Sequence, residues 1–497
     1  MICLLAAMAF VGDLAVVPAV VPAVVPEGQE PWLLETLPLP EGEVLEISAL
    51  EIWHGDRVLV ATRRGEVWVV EGVFDGDPLN CSWRKVMEGL QEPLGFLVQE
   101  DDSVLVIQRG ELSRLVDQDQ DGAFDSVETV CDEWRVGGNY HEYNFGPVRG
   151  KEGDLWLTTN RAFGGQPFGA PKWRGFALRI DGDGKMHPEC SGLRSPAGLG
   201  AAPWGDLFYT DNQGEWVGAS KLSQLIPGAF YGHPFGVASC EDPLWPYPHP
   251  GETPNRVLMP EAAKLLPHFQ MPAVWFPYDE MGRSPAGFVF DETGGRFGPY
   301  EGQMFVVDQF SAEVMRVSLE QVGGHWQGAC YPFRKGLSCG AIRVCWGPDG
   351  SMLIGETDRG WASQGSERFG LERLSWTGAV PFEMHTVSAR PNGFHVRFTQ
   401  ALDPKTAADP KLWSVASYTY MLHSDYGSPE VDQAKCEVLA VTIDPDNMGI
   451  LLEVNGLRSG YVHELRPKGL RSQGGEALVD PRAYYTLIQI PVQPQVR

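Results

Sequence analysis

Along the first three quarters of the chain, short apolar runs return at a steady interval. They begin at Val58, Val104, Leu155, Leu207, Met304 and Met352. Each follows a Gly/Asp/Ser turn, ends on a polar or acidic residue and returns as a second run, as in RVLVATRRGEVWVV from Arg57 and QMFVVDQFSAEVMRVSL from Gln303. Runs this short, rich in Val and Leu and bounded by turn residues, read as strands rather than helices. Strand-turn-strand units repeating every ~50 residues are the signature of a β-propeller. The gap between Leu207 and Met304 is about two periods long and holds either a degenerate blade or an insertion. Its content, SCEDPLWPYPHPGETPNRVL from Ser239, reads as loop. The expected fold is all-β: a six-bladed β-propeller over residues 31–376, carrying one insertion. An array of sandwiches is the rival, but sandwiches rarely repeat one strand motif so evenly.

Beyond Thr377 the texture changes. FEMHTVSARPNGFHVRFTQALDP, GILLEVNGL, YVHELRPKGL and AYYTLIQIP alternate in strand fashion between turns. An immunoglobulin-like β-sandwich is expected over 380–491. It has no evident nucleophile or metal cluster, and His385, His395, His423 and His463 are scattered as structural histidines are. It reads as separable, so a chain ending near Ala379 is expected to stay soluble.

One stretch breaks the repeat with chemistry of its own. DQDQDGAFDSVE, residues 117 to 128, carries acidic side chains at positions 1, 3, 5, 9 and 12 and glycine at 6, the ligand pattern of an EF-hand loop. Its flanks are Val-rich and broken by glycine, so strands rather than helices are expected on either side. A calcium ion on Asp117, Asp119, Asp121, Asp125 and Glu128 would then staple a long hairpin. The alternative is a solvated acidic turn.

Charge narrows the function. Lys and Arg number 39 against 65 Asp and Glu, a net charge of -26. Such a surface argues against nucleic acid or anionic lipid as partner. The first 30 residues, MICLLAAMAFVGDLAVVPAVVPAVVPEGQE, combine a short apolar run with a Pro-punctuated spacer. They read as an export signal without a basic leader, which predicts a periplasmic or secreted protein. Nine cysteines form no C-x-x-C pair. Cys330 and Cys339, bracketing a short loop, are the first candidates for a disulfide.

The most specific stretch is GLRSPAGLGAAPWGDLFYTDNQGEWVGASKLSQLIPGAFYGHP, from Gly192 to Pro234. It resembles the cofactor-binding blade of the soluble glucose/sorbosone dehydrogenases, six-bladed propellers that use the quinone PQQ. The matching residues are Gly192, Arg194, Gly198, Asp211, Pro227, Gly228, Tyr231, Gly232 and Pro234. RSPAGFVFD from Arg283 and WGPDGSMLIGETD from Trp346 resemble later blades, and the likeness spans roughly residues 45 to 376. DNQGEW, YHEY and SYTYMLHSDYGSPEVD are closer still to a bacterial exported branch called membrane-bound dehydrogenase-like. Members of that branch often carry a cytochrome c module, and no such module is expected in this chain.

The resemblance implies an exported dehydrogenase that oxidises a sugar or polyol hydroxyl with PQQ and calcium, with a cytochrome c as possible electron acceptor. It places Arg194, Trp216 and Arg343 at the cofactor and His141 as the base. A second calcium would sit on the Asp211–Trp216 loop. A guanidinium suits a flat carboxylated quinone because it offers planar paired donors. Three positions depart from the family. Asn160 stands where an Asp should orient the base, Arg343 alone represents an R-x-R pair, and Ser195 replaces an Asn. Two other readings stay open: a non-catalytic propeller that binds a glycan or a partner protein, and a calcium-dependent lactonase using Asp211, Asp308, Glu356 or Asp358. Trp204, Trp216 and Trp275 are candidates for stacking on a sugar.

Overall fold

The computed structural model describes residues 30–74, 76–163 and 171–492. The expected export signal lies outside them, apart from Glu30. All six apolar runs that set the period are strands: Arg57–Thr62, Val104–Ile107, Leu155–Thr159, Leu207–Asp211, Met304–Asp308 and Met352–Thr357. Each is the second strand of an antiparallel set and is almost wholly buried. Burial on both faces explains why these runs are continuously apolar rather than alternating.

The sets stand around a central channel in a propeller-like arrangement. Five are free-standing four-stranded sheets rather than the six expected. The last of the five takes Trp32–Thr36 from the start of the chain against Phe369–Trp376, so one sheet joins both ends of the repeat. The strands Pro285–Phe290, Met304–Asp308, Glu313–Val322 and His325–Lys335 form no sheet of their own. They are the end of an eleven-stranded sheet that runs on into the C-terminal strands. The double-length gap holds no further four-stranded sheet. It contributes the strand Val274–Phe276, a short helix Met259–Leu265 and loop.

The C-terminal strands therefore do not form the detached sandwich the sequence suggests. Ala483–Leu487 pairs with His325–Lys335 through Gly328↔Thr486, Ala329↔Tyr485 and Cys330↔Tyr484. Val257–Leu258, in the insertion, pairs with Met421–Leu422. One hydrophobic cluster unites Trp275, Val317 and Cys330 with Tyr418, Tyr420, Leu422, Val462 and Tyr484. A second packs Phe394, Val396, Ile450 and Leu452 against Trp413, Val415, Leu465 and Tyr485, and it takes in Ala329 and Tyr331 from the long hairpin. The eight described cysteines are free. Cys330 is fully buried with its thiol directed at the Trp275 carbonyl, 3.5 Å away, and makes no bridge to Cys339. No helix among the described residues is long and apolar enough to cross a membrane.

Candidate functional site

The pairing register makes the pocket. In four sets the innermost strand carries a bulge close to its start, at Ile47/Ala49, Pro196/Gly198, Pro285/Phe288 and Ala341/Arg343. In the set that begins with Asn144–Arg149, just after His141, the shift is at Phe145/Val148. Bulges re-aim side chains, and the residues beside them (Phe145, Ala197, Ala286, Ile342) line one cavity of about 200 Å³ at a channel mouth. The residue following the second strand adds Arg63, Asn160, Asn212 and Gln309 to the same wall.

A repeated pentapeptide fixes two of the cavity's arginines. RSPAG occurs at Arg194–Gly198 and again at Arg283–Gly287. In the first copy the Arg194 and Ser195 amides donate to Asp211, at 3.2 and 2.7 Å. In the second, the Arg283 and Ser284 amides donate to Asp308, at 2.8 and 2.6 Å. Both aspartates are fully buried, and burial raises both above the usual carboxylate range. Their oxygens are spent on the turn that presents each arginine. Asp211 and Asp308 thus each support the turn that presents an arginine. The register sets Thr159, not Asn160, opposite Asn144, so Asn160 corresponds to Asn212 rather than to Asp211.

Five arginines line the cavity: Arg63, Arg194, Arg283, Arg343 and Arg359. Their carboxylates are shared. Glu215 accepts from Arg194 at 2.8 Å and from Arg161 at 2.8 Å. Glu92 accepts from Arg63 at 2.9 Å and from Arg109 at 2.6 Å, and Glu46 serves Arg359 at 2.8 Å and Arg64 at 3.7 Å. Arg283 pairs with Asp279. Arg343 has no carboxylate. Its guanidinium donates to the carbonyls of Leu94 (2.6 Å), Ala197 (3.0 Å) and Ile342 (2.5 Å) and lies 4.8 Å from the Phe145 ring. Burial lowers Arg343 to about 9, which leaves it charged at neutral pH. It lines both this cavity and one of about 190 Å³ on the far side of the channel, and so forms a floor between them. Partial burial works against ionisation of Glu215, yet the charge and hydrogen bonds of Arg194 hold it down to about 2. A strongly acidic protein thus gathers surplus positive charge at one mouth.

His141, Asn160, Arg194 and Arg343 all reach this cavity. Burial, and then the charges of Arg194, Arg161, Arg109 and Arg63, lower the His141 imidazole below its ordinary value. It is neutral at pH 7, and its ring makes no hydrogen bond to another described residue. It lies tilted against Phe163, with ring centres 4.5 Å apart. Asn160 does not hold it. The Asn160 amide donates to Ser195 at 3.2 Å, and its buried Oδ1 has no partner among the described residues. The buried Oδ1 of Asn212 is likewise without one.

Trp216 lies outside the cavity wall. It packs against the cluster beneath the C-terminal strands, and its amide donates to the His423 carbonyl at 2.8 Å. Trp275 is buried in that cluster, and Trp204 stacks on Trp326 at 4.7 Å, so none of the three tryptophans lines the cavity. The sequence reading missed Arg63, Arg283, Arg359, Glu215, Trp361 and Tyr426. The second RSPAG was the available signal for Arg283.

The acidic loop lies between the strands Leu112–Val116 and Ser126–Cys131, as expected. Asp117, Asp119 and Asp125 bring ligand oxygens within 4.8 Å of one another. Asp121 instead caps the Ala123 amide at 2.8 Å. Glu128 pairs with Arg114 across the ladder and stays outside the cluster. Three of the five carboxylates read from the spacing thus converge in this structure.

A family profile described as a domain of unknown function, DUF7133, matches residues 75–227. Among curated proteins no relative is found. Several solved structures match over about two thirds of this chain. A Trichoderma reesei member of carbohydrate-active enzyme family AA12 is 11% identical, with a TM-score of 0.50, over 70% of this chain and 97% of that one. A putative oxidoreductase (glucose dehydrogenase) from Thermus thermophilus is 19% identical, with a TM-score of 0.47, over 69% of this chain and 99% of that one. The PQQ-bound aldose sugar dehydrogenase of Streptomyces coelicolor is 17% identical, with a TM-score of 0.44, over 69% and 98%. At these identities the likeness is one of fold.

Proposed function

We propose that this chain is an exported sugar or polyol dehydrogenase whose arginine-lined cavity holds PQQ. We read the strands from Pro285 to Lys335 as a sixth blade whose sheet continues into a C-terminal sandwich. The observation that carries the function is a surplus of guanidinium charge around one cavity, with a neutral, unclaimed imidazole in its wall.

The residues suit the quinone better than they suit its calcium. Arg194, Arg283 and Arg343 would pair the carboxylates of PQQ, a planar anion. In the Asp211–Trp216 loop, Asp211 is fully buried and accepts from two amides, while Glu215 gives one oxygen to Arg194 and Arg161 and keeps its second for an ion. The amide oxygens of Asn160 and Asn212 are ligands a calcium ion accepts, but beside these arginines the ion would need the quinone's own negative charge.

When bound, PQQ supplies the two-electron acceptor for hydride from the hydroxyl-bearing carbon. His141 takes the hydroxyl proton, for which a neutral imidazole is the required form. The Asn160 and Asn212 oxygens accept from neighbouring substrate hydroxyls. An external electron acceptor such as a cytochrome c would be needed to close the cycle. The test is dye-linked oxidation of aldoses and polyols with PQQ and calcium supplied. His141→Ala is expected to leave PQQ binding intact and to lower turnover by roughly 100- to 10,000-fold. Because the His141 pKa is lowered in the folded protein, activity should fall only as pH drops below about 6.5. Quinone binding with no oxidation of any sugar would favour the non-catalytic reading.

The 117–128 loop is the better candidate for calcium binding in the absence of quinone. Three converging carboxylates repel one another unless a cation lies between them. Ten millimolar calcium is expected to raise the melting temperature by about 1–3 °C, as binding in the weak range of exported modules would give. Asp119→Asn with Asp125→Asn should abolish most of that rise, and an undiminished rise would place the ion elsewhere.

A further inference from the structure

The cavity is not made by the propeller strands alone. The segment Tyr420–Ser428 of the C-terminal domain is zipped to the loops that carry the site. The amides of Trp216, Gly427 and Ser428 donate to the carbonyls of His423, Gly214 and Gly218, at 2.8, 3.1 and 2.8 Å. Glu215 and Tyr426 form a β-bridge, and Arg256 pairs with Asp425 at 2.9 Å. Glycines make the approach possible. A Cβ on Gly214 would fall 1.9 Å from the Arg194 guanidinium, and one on Gly427, which has φ +63, would fall 2.7 Å from the Gln213 side chain.

At the end of this docked segment Tyr426 is 55% exposed, and it lines the cavity with Tyr278 and the 44%-exposed Trp361. Its ring lies 5.4 Å from the Arg194 guanidinium. An aromatic residue held on a tightly docked turn, yet left open to solvent, presents a ready face to whatever enters. The same cavity wall includes Asn160 and Asn212, whose buried Oδ1 atoms have no partner among the described residues. An aromatic rim with oxygen acceptors in the same cavity matches a molecule with one C–H face and a hydroxyl edge. A cyclic sugar has both, and a short linear alcohol has no such face.

We propose that the C-terminal domain completes the substrate site, and that Tyr426 is a specificity-determining residue that stacks on the ring of a cyclic sugar. The substrate class rests on the dehydrogenase reading; the placement of Tyr426 does not. The test is calorimetric titration of a panel of pyranoses and of 1-propanol into the full-length protein, with and without PQQ, alongside steady-state kinetics. The wild type is expected to bind a pyranose and not 1-propanol. Tyr426→Ala should weaken that binding and raise KM about fivefold, with PQQ affinity and kcat held, while Tyr426→Phe stays close to wild type. Tyr426 is exposed and its ring donates no hydrogen bond, so the variant should keep the wild-type melting temperature.

Equal sugar affinity in wild type and Tyr426→Ala would overturn the proposal, as would a wild type that binds no pyranose. Sugar binding without oxidation would sink the dehydrogenase reading and leave this one standing. Oxidation with unchanged KM in Tyr426→Ala would do the reverse.

Discussion

A chain ending at Ala379 is expected to aggregate on expression, against the simple reading of its domain boundary. Truncation removes Tyr418, Tyr420, Leu422, Val462 and Tyr484 from a cluster in which Trp275 and Cys330 are almost wholly buried. Each large apolar side chain is worth about 1.5–3 kcal/mol when buried. Five such losses are comparable to the whole stability of a typical domain, about 5–15 kcal/mol. The cut also bares the outer edge of His325–Lys335, now paired to Ala483–Leu487. An unpaired strand flanked by exposed aromatics is a template for association. The check is the soluble yield and light scattering of the truncated protein beside the full-length one. A monomeric, cooperatively melting product would show that the C-terminal strands are a mere appendage.

Replacing Arg194 is expected to have the largest effect on the pocket. Its guanidinium is almost buried, it shares Glu215 with Arg161, and it faces the Phe163 and Tyr426 rings at 4.7 and 5.4 Å. Arg194→Ala should weaken PQQ binding by about 2–5 kcal/mol, the cost of leaving a buried charge of the ligand unpaired. Arg194→Lys should recover only part of this, since an ammonium cannot present two parallel donors. Fluorescence titration with PQQ checks both, with melting curves to exclude unfolding. Equal affinity in all three proteins would move the cofactor away from this arginine.

The repeat was legible because each second strand is buried on both faces, so the runs at Val58, Leu207 and Met304 stand out as unbroken apolar segments. The fusion of the long hairpin to the C-terminal strands was not. Gly328–Cys330 and Tyr484–Thr486 are far apart in sequence, and each reads locally as an ordinary strand. A pairing choice of that kind is made by tertiary packing.

The site was half legible. His141, Asn160, Arg194 and Arg343 reach one cavity, yet of the five spaced carboxylates only those of Asp117, Asp119 and Asp125 converge, because Asp121 caps a turn amide and Glu128 lies on the following strand. Trp216 has the right neighbours in sequence but turns toward the C-terminal domain. Tyr426 could not be found from the propeller pattern, because it comes from outside the repeat.

The central claim is that surplus guanidinium charge at one channel mouth binds a planar polycarboxylate quinone. Equilibrium titration of PQQ into the purified full-length protein, at low and high salt, tests it most directly. Saturable binding of one PQQ per chain is expected, weakening as salt rises and as citrate competes. No saturable binding at low salt, with or without calcium, would contradict it.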